Sequence, residues 1–296
     1  MSFLNVLKFI TSHPLNKDHK LKAIFRFARW QVISRLGQGE ITYDWVNGSR
    51  FLVRAGETAL TGNIYTGLFE FPDMAFLLHV LRAEDLFIDV GANVGSYSIL
   101  ACSAIGARGY AFEPIPSTYS RLINNIHLNH LENRTKCLNI GIGREEGSLA
   151  FSDSMGACNH ALAPGERCVG TTVVNVSTLD TVLKDESPDL MKIDVEGYET
   201  PVLQGAEATL KKQTLHSVIM ELNGNGLRYG FDELFIIEMM FDYGFRTFSY
   251  DPIGRTLISL EGKNLTSGNT IFIRDKMSVI ERLRTSPPVT IHGRKF

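Results

Sequence analysis

Hydrophobic and polar positions follow two rhythms along the chain. Between about residues 3 and 36, Leu21, Ile24, Phe25, Ala28, Val32 and Leu36 recur at three- and four-residue steps, with Lys17, Lys20, Lys22, Arg26 and Arg29 on the polar faces. That spacing predicts a helix whose apolar stripe packs on the domain that follows. A cationic amphipathic helix has two other uses, on a membrane surface or in pairing with a second copy of the chain. Residues 41–46 and 50–53, separated by Asn47-Gly48, predict a hairpin, because Asn-Gly tolerates positive φ at both turn positions. From about residue 70 short apolar runs alternate with helical patterns. Strands are expected at 86–90, 109–113, 136–140, 189–195, 217–222, 245–250, 256–259 and 270–273, with helices at 73–82, from 97, at 117–129, 202–210 and 234–241. Residues 149–151 and 172–176 read as extra strands around a Gly/Ala/Pro-containing loop. Strands joined by helices demand a mostly parallel sheet covered on both faces, a doubly wound α/β fold. Only a tight turn near residues 252–254 separates two late strands, so the sheet should end in an antiparallel hairpin.

Composition narrows this picture. The 296 residues carry a net charge of -2 and are 44% hydrophobic and 21% charged, values of an ordinary folded globular chain. Near-neutral charge argues against a nucleic-acid partner gripped through its phosphates. Cys102, Cys137, Cys158 and Cys168 are scattered, without the pairing of a disulfide framework or the spacing of a zinc site. The apolar start at residues 1–10 is short and lacks the features of a leader, and no run approaches the roughly 18 apolar residues of a spanning helix. A cytoplasmic chain is expected. It divides into an N-terminal helix and hairpin (1–60), a main α/β domain (61–275) and a C-terminal tail (276–296).

The first chemical signal is Asp89-Val90-Gly91-Ala92-Asn93-Val94-Gly95-Ser96-Tyr97, an apolar strand running through a glycine turn into a helix. Gly91 and Gly95 permit the turn and a close backbone approach to a ligand, and the helix start offers free N–H groups. The spacing is neither a dinucleotide fingerprint nor a P-loop. Asp89 at the strand end suits an ammonium group. Glu113, about 20 residues further at the next strand end and followed by Pro114, suits ribose hydroxyls. A nucleoside bearing an ammonium and a carboxylate but no phosphate describes S-adenosylmethionine (SAM).

Asp89 to Gly95, Phe112-Glu113-Pro114, Thr178-Leu179-Asp180 and Lys192-Ile193-Asp194-Val195-Glu196-Gly197-Tyr198-Glu199 together resemble the FkbM-type SAM-dependent methyltransferases over about residues 60 to 275. The resemblance implies a class I methyltransferase fold, a Rossmann-like seven-stranded sheet with an antiparallel last strand. It also implies methylation of an oxygen, often a hydroxyl on a sugar or natural product. The expected cofactor-binding set is Tyr65, Glu70, Asp89, Gly91, Ala92, Asn93, Gly95, Ser96, Tyr97, Glu113, Pro114 and Ile142, with Tyr65 and Glu70 closing over the methionine end of SAM.

Methyl transfer to a hydroxyl needs an in-line oxygen and an acceptor for its proton. Ligands of open α/β sheets lie beyond the carboxyl ends of the strands, so Asp194, Glu196 and Glu221 are the candidate catalytic acids. One carboxylate acts as general base, or the set holds a divalent cation such as Mg²⁺. Lys192 shares a strand face with Asp194 and either positions an acid or substrate or pairs internally. Glu199 reads as a helix-capping acid, His127 and His130 as surface residues, and His160 as a loop residue able to touch substrate. Alternatives to a small-molecule enzyme are an RNA or protein methyltransferase and a non-catalytic SAM-binding module.

Overall fold

The computed structural model describes residues 3–36, 39–54 and 57–296; Met1 and Ser2 of the apolar start lie outside them. The N-terminal helix is two helices, α1 (Phe3–Ser12) and α2 (Lys20–Leu36). Pro14 cannot continue α1, and Asn16 turns the chain by donating to the carbonyls of Ile10 and Tyr65 at 2.9 and 3.0 Å. The predicted stripe does not pack on the domain. Ala23, Phe27 and Trp30 on the opposite face of α2 are buried, while Leu21, Phe25, Val32 and Leu36 are exposed. The hairpin forms as β1 (Ile41–Asp44) and β2 (Arg50–Val53), with Asn47 and Gly48 at φ 50 and 83°. Its free edge is capped by helix side chains: Leu52 and Arg50 donate their amides to Asn125 and Asn129.

After α3 (Thr58–Thr66) and α4 (Phe71–Val80) come β3 (Leu86–Val90), α5 (Ser96–Ile99, continued as a π-helical turn to Ile105), β4 (Arg108–Phe112), α6 (Pro116–Leu128) and β5 (Thr135–Leu138). The chain then makes β6 (Gly141–Ile142), β7 (Gly147–Ser152) and β8 (Thr171–Ser177), a separate three-stranded sheet in the order β6-β8-β7. α7 (Leu179–Val182), β9 (Leu190–Ile193), α8 (Glu199–Gln204), α9 (Glu207–Lys211), β10 (Ser217–Glu221), α10 (Glu233–Asp242), β11 (Arg246–Asp251), β12 (Thr256–Ser259), β13 (Asn269–Ile273) and α11 (Lys276–Thr285) follow. The helix expected at 202–210 is split at Gly205, where a Cβ would stand 2.0 Å from the Gly143 carbonyl.

The main sheet runs β12-β11-β13-β10-β9-β3-β4-β5. β5, β4, β3, β9 and β10 are parallel neighbours, β13 enters antiparallel between β10 and β11, and β12 closes a hairpin on β11. This is the class I methyltransferase-type Rossmann-like sheet, with β12 as an eighth strand beyond the seven expected. β3, β9 and β13 are buried along their whole length, as strands covered on both faces must be. The residues read as a tail form α11 and a short ribbon, and Val279, Leu283, Val289, Ile291 and Phe296 join the core under α4.

Candidate active site

Three chain crossings build the site at the carboxyl ends of β3, β4, β9 and β10. After β3, Gly91 turns at φ 83°, and a Cβ there would lie 1.8 Å from the Asp194 carbonyl oxygen. Only glycine lets the turns after β3 and β9 touch. The amides of Gly91 and Ala92 donate to the Phe112 carbonyl, which ties the turn to β4. Asn93 takes φ 51°, and its amide donates to Glu113 Oε2 at 3.0 Å, while Glu113 Oε1 accepts from the Ile115 amide at 2.9 Å. Burial pushes the Glu113 carboxyl up to about 7. Glu113, Pro114, Gly91, Asn93, Asp194 and Glu196 line one cleft, so the ribose-type acid and the strand-end acids face the same space. An apolar slot adjoins it, formed by Phe112, Ile140, Ile142, Phe151, Val195 and Tyr198.

The structure assigns Asp89 a place behind this surface. Its side chain is buried and accepts from the Ser98 hydroxyl at 2.6 Å, and burial raises its carboxyl to about 6. Ser96 and Tyr97 open α5 after Gly95, at φ 92°. The Tyr97 hydroxyl donates to Glu70 Oε2 at 2.8 Å, so Glu70, just ahead of α4, does reach the helix after the glycine turn. Tyr65 is turned toward the N-terminal helices. Its hydroxyl accepts from Gln31 at 2.8 Å and its ring meets Phe27 edge-on.

Lys192 is 1% exposed, and its ammonium donates to Asp194 Oδ2 at 2.9 Å and Asn269 Oδ1 at 3.2 Å. It also lies 5.3 Å from the centre of the Tyr97 ring. Burial works against this charge, yet Asp194 and Glu70 outweigh it and hold the ammonium above the usual lysine range. Lys192 therefore pairs internally. Asn269, from the antiparallel β13, donates in turn to Glu70 Oε1 at 2.9 Å and Asp73 Oδ2 at 3.3 Å. Sequence reasoning missed Asn269 and Asp73. The one local signal was a polar residue opening the apolar run 269–273.

Asp194, Glu196 and Glu221 converge, each offering an oxygen within 4.8 Å of the others. Burial and the neighbouring Asp194 push the Glu221 carboxyl up to about 9, and its Oε2 is buried without a hydrogen-bond partner. Glu196 sits at φ 56°, a left-handed conformation uncommon outside glycine, and accepts from Asn225 Nδ2 at 2.9 Å. Glu199 braces the same turn by accepting from the Gly197 and Val195 amides at 3.1 and 3.3 Å, a structural cap rather than a reacting group. Both His160 nitrogens are engaged, one at the Cys158 carbonyl and one at Glu166, each at 3.0 Å. His127 and His130 lie on the surface.

A roomier cleft of about 360 Å³ lies on the other side of Tyr198, against Arg144, Tyr229 and Phe231. None of the strand-end acids lines it. Glu113, Asp194 and Glu196 line the smaller cleft, and behind it Glu70, Asp194 and Glu221 act on buried Lys192. An environment so rich in carboxyl groups stabilises a cationic ligand and resists an anionic one.

A family described as the methyltransferase FkbM domain matches residues 89–247. The hexuronic acid methyltransferase AglP of Haloferax volcanii is 32% identical over 153 residues, which are 50% of this chain and 59% of that protein. Methyltransferase sdnD of Sordaria araneosa is 27% identical over 194 residues, covering 53% of this chain and 74% of its own length. Among solved structures, the methyltransferase FkbM of Methylobacillus flagellatus is similar over 65% of this chain and 44% of its own, at 15% identity and a TM-score of 0.45.

Proposed function

The chain belongs to the FkbM methyltransferase family, and on that premise we propose that it transfers the methyl group of SAM to a hydroxyl oxygen of a small acceptor, a sugar or natural product. The chain spans 59% of the hexuronic acid methyltransferase it resembles, and that protein's printed activity supports a sugar-like acceptor. The single observation that carries the reading is the shared cleft, in which Glu113 and the Gly91 turn face Asp194 and Glu196.

The residues fit the cofactor. Glu113 keeps acceptor capacity on both oxygens for ribose hydroxyls, since each takes one backbone amide. The apolar slot at Ile142 and Phe151 matches a flat adenine face, and the surplus of carboxyl groups suits a sulfonium and an ammonium. When bound, SAM supplies an electrophilic methyl group and a neutral thioether as leaving group. Glu70, anchored by Tyr97 and Asn269, closes the methionine end, and buried Asp89 contributes charge from behind. Tyr65 instead packs against α2 through Gln31 and Phe27 and does not join this wall.

Asp194 accepts the acceptor's proton as its oxygen bonds to carbon, with Lys192 fixing the carboxylate's direction. Burial and the adjacent Asp194 push the Glu221 carboxyl toward its neutral form, so it shapes the pocket rather than serving as the base. Glu196, held by Asn225, faces the acceptor from the turn. A second reading has specific support: the unpartnered Glu221 oxygen beside Asp194 and Glu196 offers Mg²⁺ an all-oxygen set. Lys192 already neutralises Asp194, which favours the metal-free version. Labelled SAM offered with a panel of sugar, polyketide and peptide hydroxyl acceptors tests the reading; label in an O-methyl product is expected, and label only on RNA or protein would overturn it. Loss of turnover in EDTA, restored by Mg²⁺, would favour the metal version. The acceptor pool is expected in the cytoplasm.

A further inference from the structure

Helix α2 is apolar on two opposite faces, and the fold uses one of them. Trp30 packs with Phe51, Val53, Leu60, Ile64 and Val94, the last in the glycine turn, while Ala23 and Phe27 pack with Ile10 of α1. On the other side Leu21, Phe25, Val32 and Leu36 are 84, 70, 56 and 80% exposed. At 100° per residue these four fall within about 60° of arc, a continuous ridge. Exposed Leu4 and Phe9 add apolar surface on α1. Lys20, Lys22, Arg29 and Arg35 flank the ridge in the exposed class, and α1 contributes exposed Lys8. Neither helix contains an acidic residue.

From this we propose that the α1–α2 face docks on an anionic lipid bilayer, with the ridge in the headgroup boundary and the lysines and arginines against lipid phosphates. An apolar ridge edged only by cations is complementary to such a surface, which offers hydrocarbon below and negative charge above. A second copy of the chain is a poor occupant, because a two-fold contact would bring together two faces edged by Lys20, Lys22 and Arg29. No helix among the described residues is long and apolar enough to cross a membrane, so the docking is peripheral. Trp30 and Val94 share one hydrophobic cluster, so the docking helix and the glycine turn pack into the same core.

The test is co-sedimentation of the full chain with vesicles of phosphatidylcholine alone and of phosphatidylcholine with phosphatidylglycerol. The chain is expected to bind the anionic vesicles much more tightly, and added salt should weaken that binding. The charge-reversed variant Lys20→Glu/Lys22→Glu/Arg29→Glu should lose at least about a hundredfold in affinity, from about fivefold for each cation removed. Leu21→Ser/Phe25→Ser/Val32→Ser should lose at least about tenfold through its missing apolar area. These side chains are solvent-exposed in the free chain, so both variants should melt like the parent and bind SAM unchanged. Failure of the parent to sediment with anionic vesicles at low salt would overturn the proposal. So would undiminished binding by the serine variant, or a dimer that the serine variant dissolves, which would assign the ridge to a second copy. Binding to an acidic amphipathic peptide without vesicle binding would assign it to a protein instead.

Discussion

The strands β3, β9 and β10 carry acidic clusters at both ends, and the two clusters behave differently. At the leading ends Asp85, Asp189 and His216 converge as closely as Asp194, Glu196 and Glu221 do at the trailing ends. There Arg282 of α11 holds Asp85 through two bonds of 2.5 and 3.2 Å, and the Arg82 amide adds a third. Asp189 accepts from the Leu86 amide, and burial with Arg282 nearby lowers His216 to about 4, leaving it neutral at physiological pH. Every acid in that cluster has a donor aimed at it, although the buried His216 Nε2 has no hydrogen-bond partner. At the trailing ends Lys192 serves a larger set of carboxyl groups, Glu221 holds a proton and has an orphan oxygen, and Asn93 and Glu196 occupy left-handed backbone. Matched charge makes a structural clamp. Unmatched charge on strained turns favours a cationic ligand over an anionic one.

The largest expected effect separates the clusters by function. Asp194→Asn keeps the shape of the trailing cluster and should cost about 10²–10⁴ in turnover with SAM affinity largely kept, as loss of a general base does. Single-turnover kinetics with the true acceptor would read it, and full activity would reduce Asp194 to a strand-end cap. At the other end, Arg282→Ala should cost about 3 kcal/mol of stability by stranding buried Asp85, while turnover per folded molecule stays unchanged. Denaturant unfolding beside an activity assay checks both halves. Glu70→Gln weakens the wall that joins α4, α5 and β13 and should lower SAM affinity about tenfold, the low end for loss of one charged hydrogen bond; unchanged binding and turnover would remove Glu70 from the site.

A further test is a pH dependence. Folded Glu221 keeps a proton up to about pH 9 that the unfolded carboxyl releases near its ordinary 4.5. The folded state therefore binds more protons across that window, and its stability falls as pH rises through it. Glu221→Gln does not titrate, so its melting temperature should gain on the parent from pH 5 to pH 9. A constant difference across that range would contradict the raised carboxyl.

Much of this architecture is legible along the chain because it is local. Each parallel strand announces itself as an apolar run, and its acid at the end, Glu113, Asp194 or Glu221, follows directly in sequence. The hairpin at Asn47-Gly48 is likewise a two-residue signal. Contacts between distant segments leave no such trace. Asn269 reaches Glu70 and Asp73 only because β13 inserts between β10 and β11, and nothing near residue 269 announces that position. Helix α2 misled for another reason: both its faces are apolar, and periodicity cannot say which of two stripes the core selects. The break at Pro14 was readable in principle, since proline inside a helical pattern ends it.

The central claim is that the trailing cluster with its glycine turn binds SAM. Calorimetric titration of SAM into the parent chain and into Glu113→Ala tests it most directly. The parent should bind with one site per chain. The variant should bind roughly tenfold or more weakly, the value of a charged hydrogen-bond contact to the ribose. Equal affinities in the two proteins, or no binding to the parent, would contradict the placement of the cofactor at this end of the sheet.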